Sequence, residues 1–359
     1  MSTDIDDLRP IIRKLISRIN LSQDEIRKSM SLILGGKASD AAIASFLVSL
    51  EMKGETPEEI TTILQTVKSY AIKIRPNITG SLVDTCGTGG DTIKSFNIST
   101  AAAIIACAAG CKIAKHGNRS ISGFCGSADF LEFIGLDLTT SPDITCRAIE
   151  NIGLGFLYAV KYHPAMRNVA SARESIGIRT VFNIVGPLSN PCTNLSAQVI
   201  GVYEPSLLET IAFALRSAEV DEFMVVHSND GFDELSNTCE NNIIWLVDKK
   251  MKRLKLHPKD VNLSVAKPEQ LSICSRKDSI RDTLQVIYGL ANREKEDIAV
   301  LNASAALVIG KIAKDLKEGV EIAREAIKKG TPRKKLSELI QRCGDNEKLI
   351  KAEQEFLLI

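Results

Sequence analysis

The sequence predicts an α/β protein in which a small N-terminal all-helical domain precedes a larger α/β domain with a central, mostly parallel sheet. The chain has 359 residues, which exceeds the usual size of one domain. Its first 75 residues show only helical spacing of apolar residues, whereas strand-like runs alternate with helical segments from residue 81 onward. We therefore expect a helical domain over residues 1–78, with a helical return near residues 163–190, and an α/β domain over residues 79–359.

The N-terminal segment predicts four short helices. Its apolar residues recur at helical spacing and begin with one stripe made of Leu8, Ile11, Ile12, Leu15, Ile16 and Ile19. Capping boxes mark two helix starts, at Ser22 with Glu25 and at Thr56 with Glu59. Glycines stand where two helices should end, at Gly35 and Gly54. Pro76 and Gly80 then interrupt the chain, which places the domain boundary near residue 78.

The second part of the chain predicts the sheet. Short apolar runs occupy residues 82–84, 112–115, 156–160, 199–202 and 223–227, with helical segments between them. Alternation of this kind is typical of parallel strands covered by helices, and ligands bind such sheets beyond the carboxyl ends of the strands. Residues 163–190 interrupt the alternation, so we expect them to return to the N-terminal helices and to form a cleft there.

Composition excludes several classes of function. The formal net charge of +1 and the 25% of charged residues give no bias toward nucleic acid. The acidic amino terminus lacks an apolar segment like that of a secretory signal, and the longest small-apolar run, residues 101–110, is too short to cross a membrane. Nine cysteines without a CxxC pair fit reduced thiols, so we expect a cytoplasmic enzyme without a membrane partner.

The turn DTCGTGGD, residues 84–91, is the first candidate binding element. Glycine at Gly87, Gly89 and Gly90 allows successive backbone N–H groups to converge on one anion. Ser99 and Thr100 lie at the start of the next helix, whose positive end favours negative charge. Taken alone, the turn is equally well explained by the steric needs of a strand-to-helix connection.

A second polar, glycine-punctuated loop, KHGNRSISGFCGSAD, spans residues 115–129. Lys115 is placed to meet a phosphate as a point charge, and Asn118, Arg119 and Ser120 offer hydrogen-bond donors at short spacing. His116 is assigned to binding, because such a histidine more often packs than acts as a base, and its role in catalysis stays open. The competing interpretation is an ordinary capped loop.

Three arginines and a pair of adjacent acids are the remaining candidate binding residues. Arg167, Arg173 and Arg179 recur six residues apart, so they cannot share one helical face, and one of them is enough to grip a carboxylate. The adjacent acids Asp233 and Glu234 follow the last predicted strand. Adjacent acids are usually only solvated, but beside two phosphate loops they suit magnesium, which prefers a few carboxylates together with phosphates and water.

These loops together resemble the anthranilate phosphoribosyltransferase family. The motifs GTGGD, NIST, KHGNRS, GSAD, HPAM, GIRT, GPLSNP and the DE pair occur in the family's order, and the resemblance covers nearly the whole chain. It implies transfer of ribose 5-phosphate from phosphoribosyl pyrophosphate (PRPP) to the amine of anthranilate, with release of pyrophosphate, in tryptophan biosynthesis. Two alternatives are a pyrimidine nucleoside phosphorylase, which shares the two-domain architecture, and a non-catalytic relative that binds nucleic acid.

The resemblance also implies roles for individual residues. Magnesium, at two ions per subunit, would bind Ser99, Asp233 and Glu234, while Asn118 and Arg173 match the anthranilate contacts. A homodimer through the helical domain is expected, and charge stabilisation by Lys115 and magnesium is expected in place of a general base. Gly123 and Cys125 depart from serines common in the family. The predicted substrate-binding residues, besides Arg173, are Gly87, Gly90, Asp91, Ser95, Asn97, Ile98, Ser99, Thr100, Lys115, His116, Gly117, Asn118, Arg119, Ser120, Ile121, Ser122, Gly123 and Ser127.

Overall fold

The computed structural model describes residues 7–90, 93–120 and 123–357. The four predicted N-terminal helices are confirmed, as α1 (Arg9–Ile16), α2 (Gln23–Leu34), α3 (Asp40–Lys53) and α4 (Pro57–Ser69). Both predicted capping boxes form, and Gly35 and Gly54 are the C-caps of α2 and α3. Across the described ranges, no helix combines the length and the apolar character needed to cross a lipid bilayer.

A buried ion pair joins the N-terminal helices. Lys53 donates to Glu59 at 2.7 Å, and both side chains are almost completely buried. Glu59 also accepts hydrogen bonds from the backbone N–H groups of Leu21 and Thr56, at 2.8 Å each. Since the carboxylate is surrounded by donors, its desolvation is offset and the ends of three helices are held at fixed positions.

In the described part of the chain, the central sheet has seven strands in the order β3-β2-β1-β4-β5-β6-β7. The first five are parallel and the last two are antiparallel, which confirms the mostly parallel sheet. The chain runs outward from β1 in one direction and then restarts at β4 on its other side, so the ends of β1 and β4 form a switch point. The strands are β1 (Leu82–Gly87), β2 (Lys112–Gly117), β3 (Leu154–Tyr158), β4 (Ala197–Gly201), β5 (Glu222–Ser228), β6 (Asn241–Val247) and β7 (Lys250–Leu256).

The hairpin of β6 and β7 was not among the predicted strands. Its turn residues Asp248 and Lys249 both adopt positive φ, at 50° and 60°, which normally favours glycine or asparagine. Strand β7 reads KMKRLKL and is mostly exposed. The hairpin has neither a typical pair of turn residues nor a clear apolar face on β7. The local sequence therefore does not predict it.

Helices cover both faces of the sheet. Alternate residues of β5 point to opposite sides, with Met224 and Val226 in one apolar core and Phe223 and Val225 in the other. The first core includes the helices Ile98–Ala108, Arg293–Ile309 and Leu316–Lys328, and the second includes the helix Leu207–Ser217 and the N-terminal helices. The remaining helices are α5 (Ile98–Ala108), α6 (Ser127–Phe133), α7 (Pro142–Asn151), α8 (Ala159–Tyr162), α9 (Arg167–Ile176), α10 (Val181–Leu188), α11 (Leu207–Ser217), α12 (Pro268–Leu271), α13 (Arg276–Tyr288), α14 (Arg293–Ile309), α15 (Leu316–Lys328), α16 (Thr331–Cys343) and α17 (Asn346–Leu357).

Helix α9 lies against the N-terminal helices. The Asn168 side chain donates to the Leu34 carbonyl at 2.8 Å, and Ser171 donates to the Asp40 carboxylate at 2.8 Å. Residues 163–190 therefore return to the N-terminal helices, with α9 (Arg167–Ile176) against α2 and α3 and α10 (Val181–Leu188) against α3 and α4. The division of the chain at residue 78 remains a prediction.

The partly buried carboxylate of Glu55, just before α4, should make the stability of the protein depend on pH. Burial raises the pKa of Glu55 to about 7, so its ionisation penalises the folded state from about pH 4.5 upward and fully above pH 7. Glu55→Gln should therefore stabilise the protein at pH 8 by about 1–2 kcal/mol, with little gain at pH 4.5. Thermal unfolding at both pH values tests this. The exposed Glu58→Gln is the control, and an equal gain at both pH values would contradict the assignment.

Candidate active site

The glycine turn after β1 folds directly against the acid pair. The Gly89 N–H donates to the Asp233 carboxylate at 2.6 Å. A Cβ on Gly87 would lie 2.0 Å from the same carboxylate oxygen, so a side chain there would collide with it. Gly89 and Gly90 have φ of 70° and 99°, values that residues with side chains rarely adopt. Gly87 is therefore needed for the close approach to Asp233, and Gly89 and Gly90 are needed for the shape of the turn. Asp91 lies outside the described residues.

The acid pair is held from two further sides. At the end of β4, a Cβ on Gly201 would fall 1.5 Å from the Asp233 carbonyl oxygen, so the loop crosses the sheet edge where only glycine fits. On α14, the Asn302 side chain accepts from the Leu235 N–H at 3.0 Å and donates to the Leu235 carbonyl at 2.8 Å. These contacts fix the position of Asp233 and Glu234 before any ligand binds.

The two acids lie in a poorly solvated position. Asp233 is 5% exposed, and Glu234 is partly buried. Burial raises the pKa of Glu234, and the neighbouring Asp233 carboxylate raises it further, while Lys115 and hydrogen bonds from Ser99 oppose the shift. Ser99 lies in the first turn of α5, where the helix end favours negative charge. Two close carboxylates with so little water would be stabilised by a bound cation.

Lys115 lies beneath this pair. It is 3% exposed, and its Nζ donates to the Thr85 carbonyl at 2.7 Å and to Ser99 Oγ at 3.2 Å. Burial lowers the pKa of Lys115, and the nearby Asp84 carboxylate opposes that shift most strongly. The lysine was expected to be a point charge facing a phosphate. The structure places it deeper, where two of its three donors are used within the protein.

The second polar loop is organised by Asp129 at the start of α6. Its carboxylate accepts the N–H groups of Ser120 and Gly126 at 3.0 and 2.9 Å. Arg119 donates to both carboxylate oxygens of Glu132, at 2.7 and 2.8 Å, and to Asp129 at 3.0 Å. Its charge is therefore largely matched within the protein.

Other predicted members of the second loop also contact one another. Ser127 Oγ donates to the Asn118 carbonyl at 3.3 Å, and the Asn118 side chain accepts from the Arg119 N–H at 2.8 Å. A Cβ on Gly117 would lie 2.3 Å from Ser127 Oγ, and the Gly123 N–H donates to Ser120 Oγ at 2.7 Å. The predicted residues Ile121 and Ser122 lie outside the described residues.

Two buried histidines meet on the opposite face of β2. The rings of His116 and His163 contact edge to face, with centroids 5.2 Å apart. Burial lowers the pKa of His116 well below its usual range and lowers that of His163 to about 4. Both rings are therefore neutral at pH 7, which removes them as proton donors. The His116 backbone N–H is held by Asp84 at 3.0 Å.

The three arginines diverge, as their spacing predicts. Arg173 is partly buried on α9, and its guanidinium lies 5.6 Å from the centre of the Phe182 ring. Burial lowers its pKa, and the described residues supply it with no ion-pair partner. Arg179 stacks on Tyr203 at 3.7 Å and reaches the glycine turn, whereas Arg167 is exposed.

The remaining predicted residues stand around the start of α5. The Asn97 side chain donates to Ser279 Oγ and its N–H to Thr283 Oγ1, both at 3.2 Å, while Ser95 Oγ donates to the adjacent Phe96 carbonyl. Ile98 is buried, and the Thr100 hydroxyl is buried without a partner among the described residues. These contacts connect the NIST segment mainly to α13.

The donor set fits magnesium better than a metal that needs an all-protein cage. Within residues 7–90, 93–120 and 123–357, no cluster of three or more His, Cys, Asp or Glu side chains could hold a metal ion. Asp233, Glu234 and the Ser99 hydroxyl supply oxygen ligands only. Magnesium binds through one or two carboxylates and takes its other ligands from phosphates and water.

Sequence reasoning missed several residues that shape the site. Asn302 was findable in principle, because a lone asparagine within the apolar run of α14 must find a buried partner. Gln198 was not. It donates to the Asp84 carboxylate at 3.0 Å and to the Pro187 carbonyl at 3.1 Å, and it thereby connects β4, β1 and α10. Only the tertiary fold brings these groups together.

Comparison with known proteins identifies both parts of the chain. A model described as the glycosyl transferase family a/b domain matches residues 79–333. A second, described as the glycosyl transferase family helical bundle domain, matches residues 9–71. Together the two models account for most of the chain.

Full-length relatives give a more specific match. Anthranilate phosphoribosyltransferase of Acetivibrio thermocellus is 40% identical over 337 residues, covering 93% of this chain and 96% of the relative. The same enzyme of Thermoanaerobacter sp. is 42% identical over 334 residues, covering 93% and 98%.

Solved structures that match this chain belong to the same family as these relatives. The anthranilate phosphoribosyltransferase of Thermus thermophilus superposes with a TM-score of 0.86 at 35% identity, covering 92% of this chain and 98% of that one. The enzyme of Saccharomyces cerevisiae in complex with PRPP and Mg shares the fold, with a TM-score of 0.86 at 24% identity and coverage of 94% and 97%. From these matches along nearly its whole length, the chain belongs to the anthranilate phosphoribosyltransferase family.

Proposed function

We propose that this protein transfers the 5-phosphoribosyl group of PRPP to the amine of anthranilate, giving N-(5-phosphoribosyl)anthranilate and pyrophosphate in tryptophan biosynthesis. The observation that carries the proposal is the contact between the glycine turn and the acid pair. Gly89 donates to Asp233, and Lys115 and Ser99 lie beside Glu234. A cation site made of oxygen ligands then lies against the glycine turn at one sheet edge, as a magnesium-bound diphosphate requires.

The proposed PRPP site extends along the ends of β1 and β2. The glycine turn and the N-terminal turn of α5 would hold the pyrophosphate part, and the loop after β2 would hold the sugar phosphate. Arg119 would act there mainly by ordering the loop, since its guanidinium is already bound to Glu132 and Asp129. Asn118 and Arg173 would contact anthranilate.

Asp233, Glu234 and the Ser99 hydroxyl would hold magnesium, proposed at two ions per subunit. When bound, the metal neutralises charge that develops on the departing pyrophosphate. The protein's own part is to hold that leaving group with the positive end of α5, beside the glycine turn, whose Thr88 and Gly89 N–H groups already donate to the Gly201 carbonyl and to Asp233. Lys115 keeps the two acids close together, because its buried charge offsets their repulsion.

Positioning of anthranilate should contribute more than proton transfer. Its aromatic amine is uncharged at neutral pH, so it needs no deprotonation before it attacks the sugar carbon. His116 and His163 are neutral, because burial lowers the pKa of each. Arg173 and Asn118 would orient the substrate for this attack, and no general base is assigned.

We also propose a homodimer formed through the N-terminal helices. Ile16, Ile19 and Met52 are 69%, 50% and 71% exposed in this part of the chain, and a dimer interface here would cover them. Light scattering should then give about twice the monomer mass of 39.1 kDa. A monomer at micromolar concentration would contradict the dimer.

The enzyme assay uses the fluorescence of anthranilate. Purified, folded protein should consume anthranilate only when both PRPP and magnesium are present, and pyrophosphate should form in equal amount. Phosphorolysis of thymidine or uridine, measured in parallel, distinguishes a pyrimidine nucleoside phosphorylase. Phosphorolysis without loss of anthranilate would overturn the proposal.

Removal of the Arg173 guanidinium should affect mainly anthranilate. Arg173→Ala is expected to raise the KM for anthranilate by about 10-fold or more, because a charge-assisted bond to its carboxylate is lost. The KM for PRPP should change by less than about 2-fold. The exposed Arg167→Ala is the matched control on the same helix. An unchanged anthranilate KM would show that Arg173 does not hold the carboxylate.

A further inference from the structure

We propose that Arg179 is a further PRPP-binding residue, which contacts the diphosphate from the α9–α10 side of the cleft. The inference rests on the proposed function and adds a residue to its site. Arg179 follows α9 in the GIRT segment, so it belongs to a different part of the fold from the glycine turn. It nevertheless reaches that turn.

The position of the guanidinium is set by two contacts. It stacks on Tyr203, with its Cζ 3.7 Å from the ring centre, and Nη1 donates to the Gly89 carbonyl at 3.4 Å. Tyr203 is itself tied to the turn, since its N–H donates to Thr88 Oγ1 at 3.3 Å. The arginine is thus held flat against the edge of the proposed diphosphate cradle.

Gly90 leaves the space that the arginine occupies. A Cβ at this position would lie 1.3 Å from Arg179 Nη2 and 2.1 Å from Cζ. The absence of a side chain at Gly90 therefore does more than permit its positive φ, because it also admits a cation to the turn. An arginine at this distance can reach an anion bound beside the turn.

The charge of Arg179 has no counterpart in the part of the chain that the structure describes. Of the described residues, none forms an ion pair with it, and its one hydrogen bond to them, to Gly89, is long. Arg119 on the second loop is the opposite case, because three bonds to Glu132 and Asp129 occupy its guanidinium. A guanidinium presents five donors in a planar fork that matches phosphate oxygens. Arg179 therefore has the donors that a diphosphate would use.

The geometry also connects PRPP to the anthranilate side. Arg173 and Arg179 lie on the same segment, at the end of α9 and just after it. If Arg179 grips the diphosphate, binding of PRPP steadies the segment that carries the proposed anthranilate contact. Loss of Arg179 should then weaken PRPP directly and anthranilate only slightly.

The test compares Arg179→Gln and Arg179→Lys with Arg167→Gln, an exposed arginine on the same segment. Equilibrium titrations would use magnesium pyrophosphate and ribose 5-phosphate separately. We expect Arg179→Gln to weaken pyrophosphate binding by at least about 10-fold while ribose 5-phosphate binding changes by less than about 2-fold. Arg179→Lys should recover part of the loss, because it keeps the charge but not the fork. Arg167→Gln should behave as wild type.

Steady-state kinetics provide the second readout. The KM for PRPP should rise with Arg179→Gln by about the same factor as the pyrophosphate dissociation constant, with equal melting temperatures for the variants. Unchanged pyrophosphate affinity, or equal weakening of both probes, would overturn the inference. Because pyrophosphate binding is measured without turnover, an enzyme inactive toward anthranilate would refute the proposed function and leave this test intact.

Discussion

Asp233→Asn and Glu234→Gln are each expected to lower kcat/KM for PRPP by about 100-fold or more without loss of stability. Both changes preserve shape but remove a charge from the proposed magnesium site. Loss of one well-placed electrostatic group commonly costs about 10²–10³-fold in rate. Stability should hold or rise for Glu234→Gln, because burial raises the pKa of this acid and its ionisation is costly in the folded protein.

This combination of effects separates a functional acid from a structural one. Activity would be measured at several magnesium concentrations, and thermal unfolding on the same samples. The control is Glu240→Gln, a carboxylate in the same connection that pairs with Lys255 at the surface. If activity were retained at low magnesium, or if Glu234→Gln unfolded the protein, the assignment of the acids to the metal would be wrong.

Gly201→Ala is expected to be the most damaging single methyl addition near the site. Its Cβ would lie 1.5 Å from the Asp233 carbonyl oxygen and 2.3 Å from the carbonyl carbon. The backbone of the acid pair would have to move, because a main-chain carbonyl has no rotamer to adopt. We expect a loss of about 1–3 kcal/mol in stability, typical of overpacking. We also expect a fall of at least about 100-fold in kcat/KM for PRPP, since a displacement of about 1 Å can cost that much.

Gly186→Ala provides the matched comparison. Gly186 lies within α10, and a Cβ there would meet nothing within 4 Å. This change should stabilise the helix by about 0.5–1 kcal/mol and leave the KM for PRPP nearly unchanged. Unfolding curves and kinetics of the two variants, made side by side, would test the steric explanation. A mild effect of Gly201→Ala would mean that the acid loop can shift freely.

The sequence predicts the helical segment well because its information is local. Ser22, Thr56, Gly35 and Gly54 each mark a helix end through contacts within a few residues. The glycine turn and the acid pair were likewise identifiable, because adjacent residues carry the chemistry. Their direct contact, Gly89 to Asp233, joins positions 144 residues apart and depends on the order of the strands.

The depth and direction of long side chains could not be predicted in this way. Lys115 and Arg119 stand four residues apart in one polar segment, yet the first is buried within β2 and donates to Ser99, whereas the second lies beyond the strand and is bound to Glu132. The regular six-residue spacing of the arginines gave no means of distinguishing Arg173 from Arg179. What separates them is the packing of Phe182 and Tyr203, residues that belong to different elements.

The space at Gly87 and Gly201 carries an evolutionary consequence. Both positions exclude side chains because of Asp233, at β1 through its carboxylate and at β4 through its backbone. A relative that loses the acid pair, and with it the path of this loop, no longer has that steric restriction, so larger residues can accumulate at both sites. The two glycines should therefore serve as a marker, readable from sequence, that separates working enzymes from descendants that have abandoned the reaction.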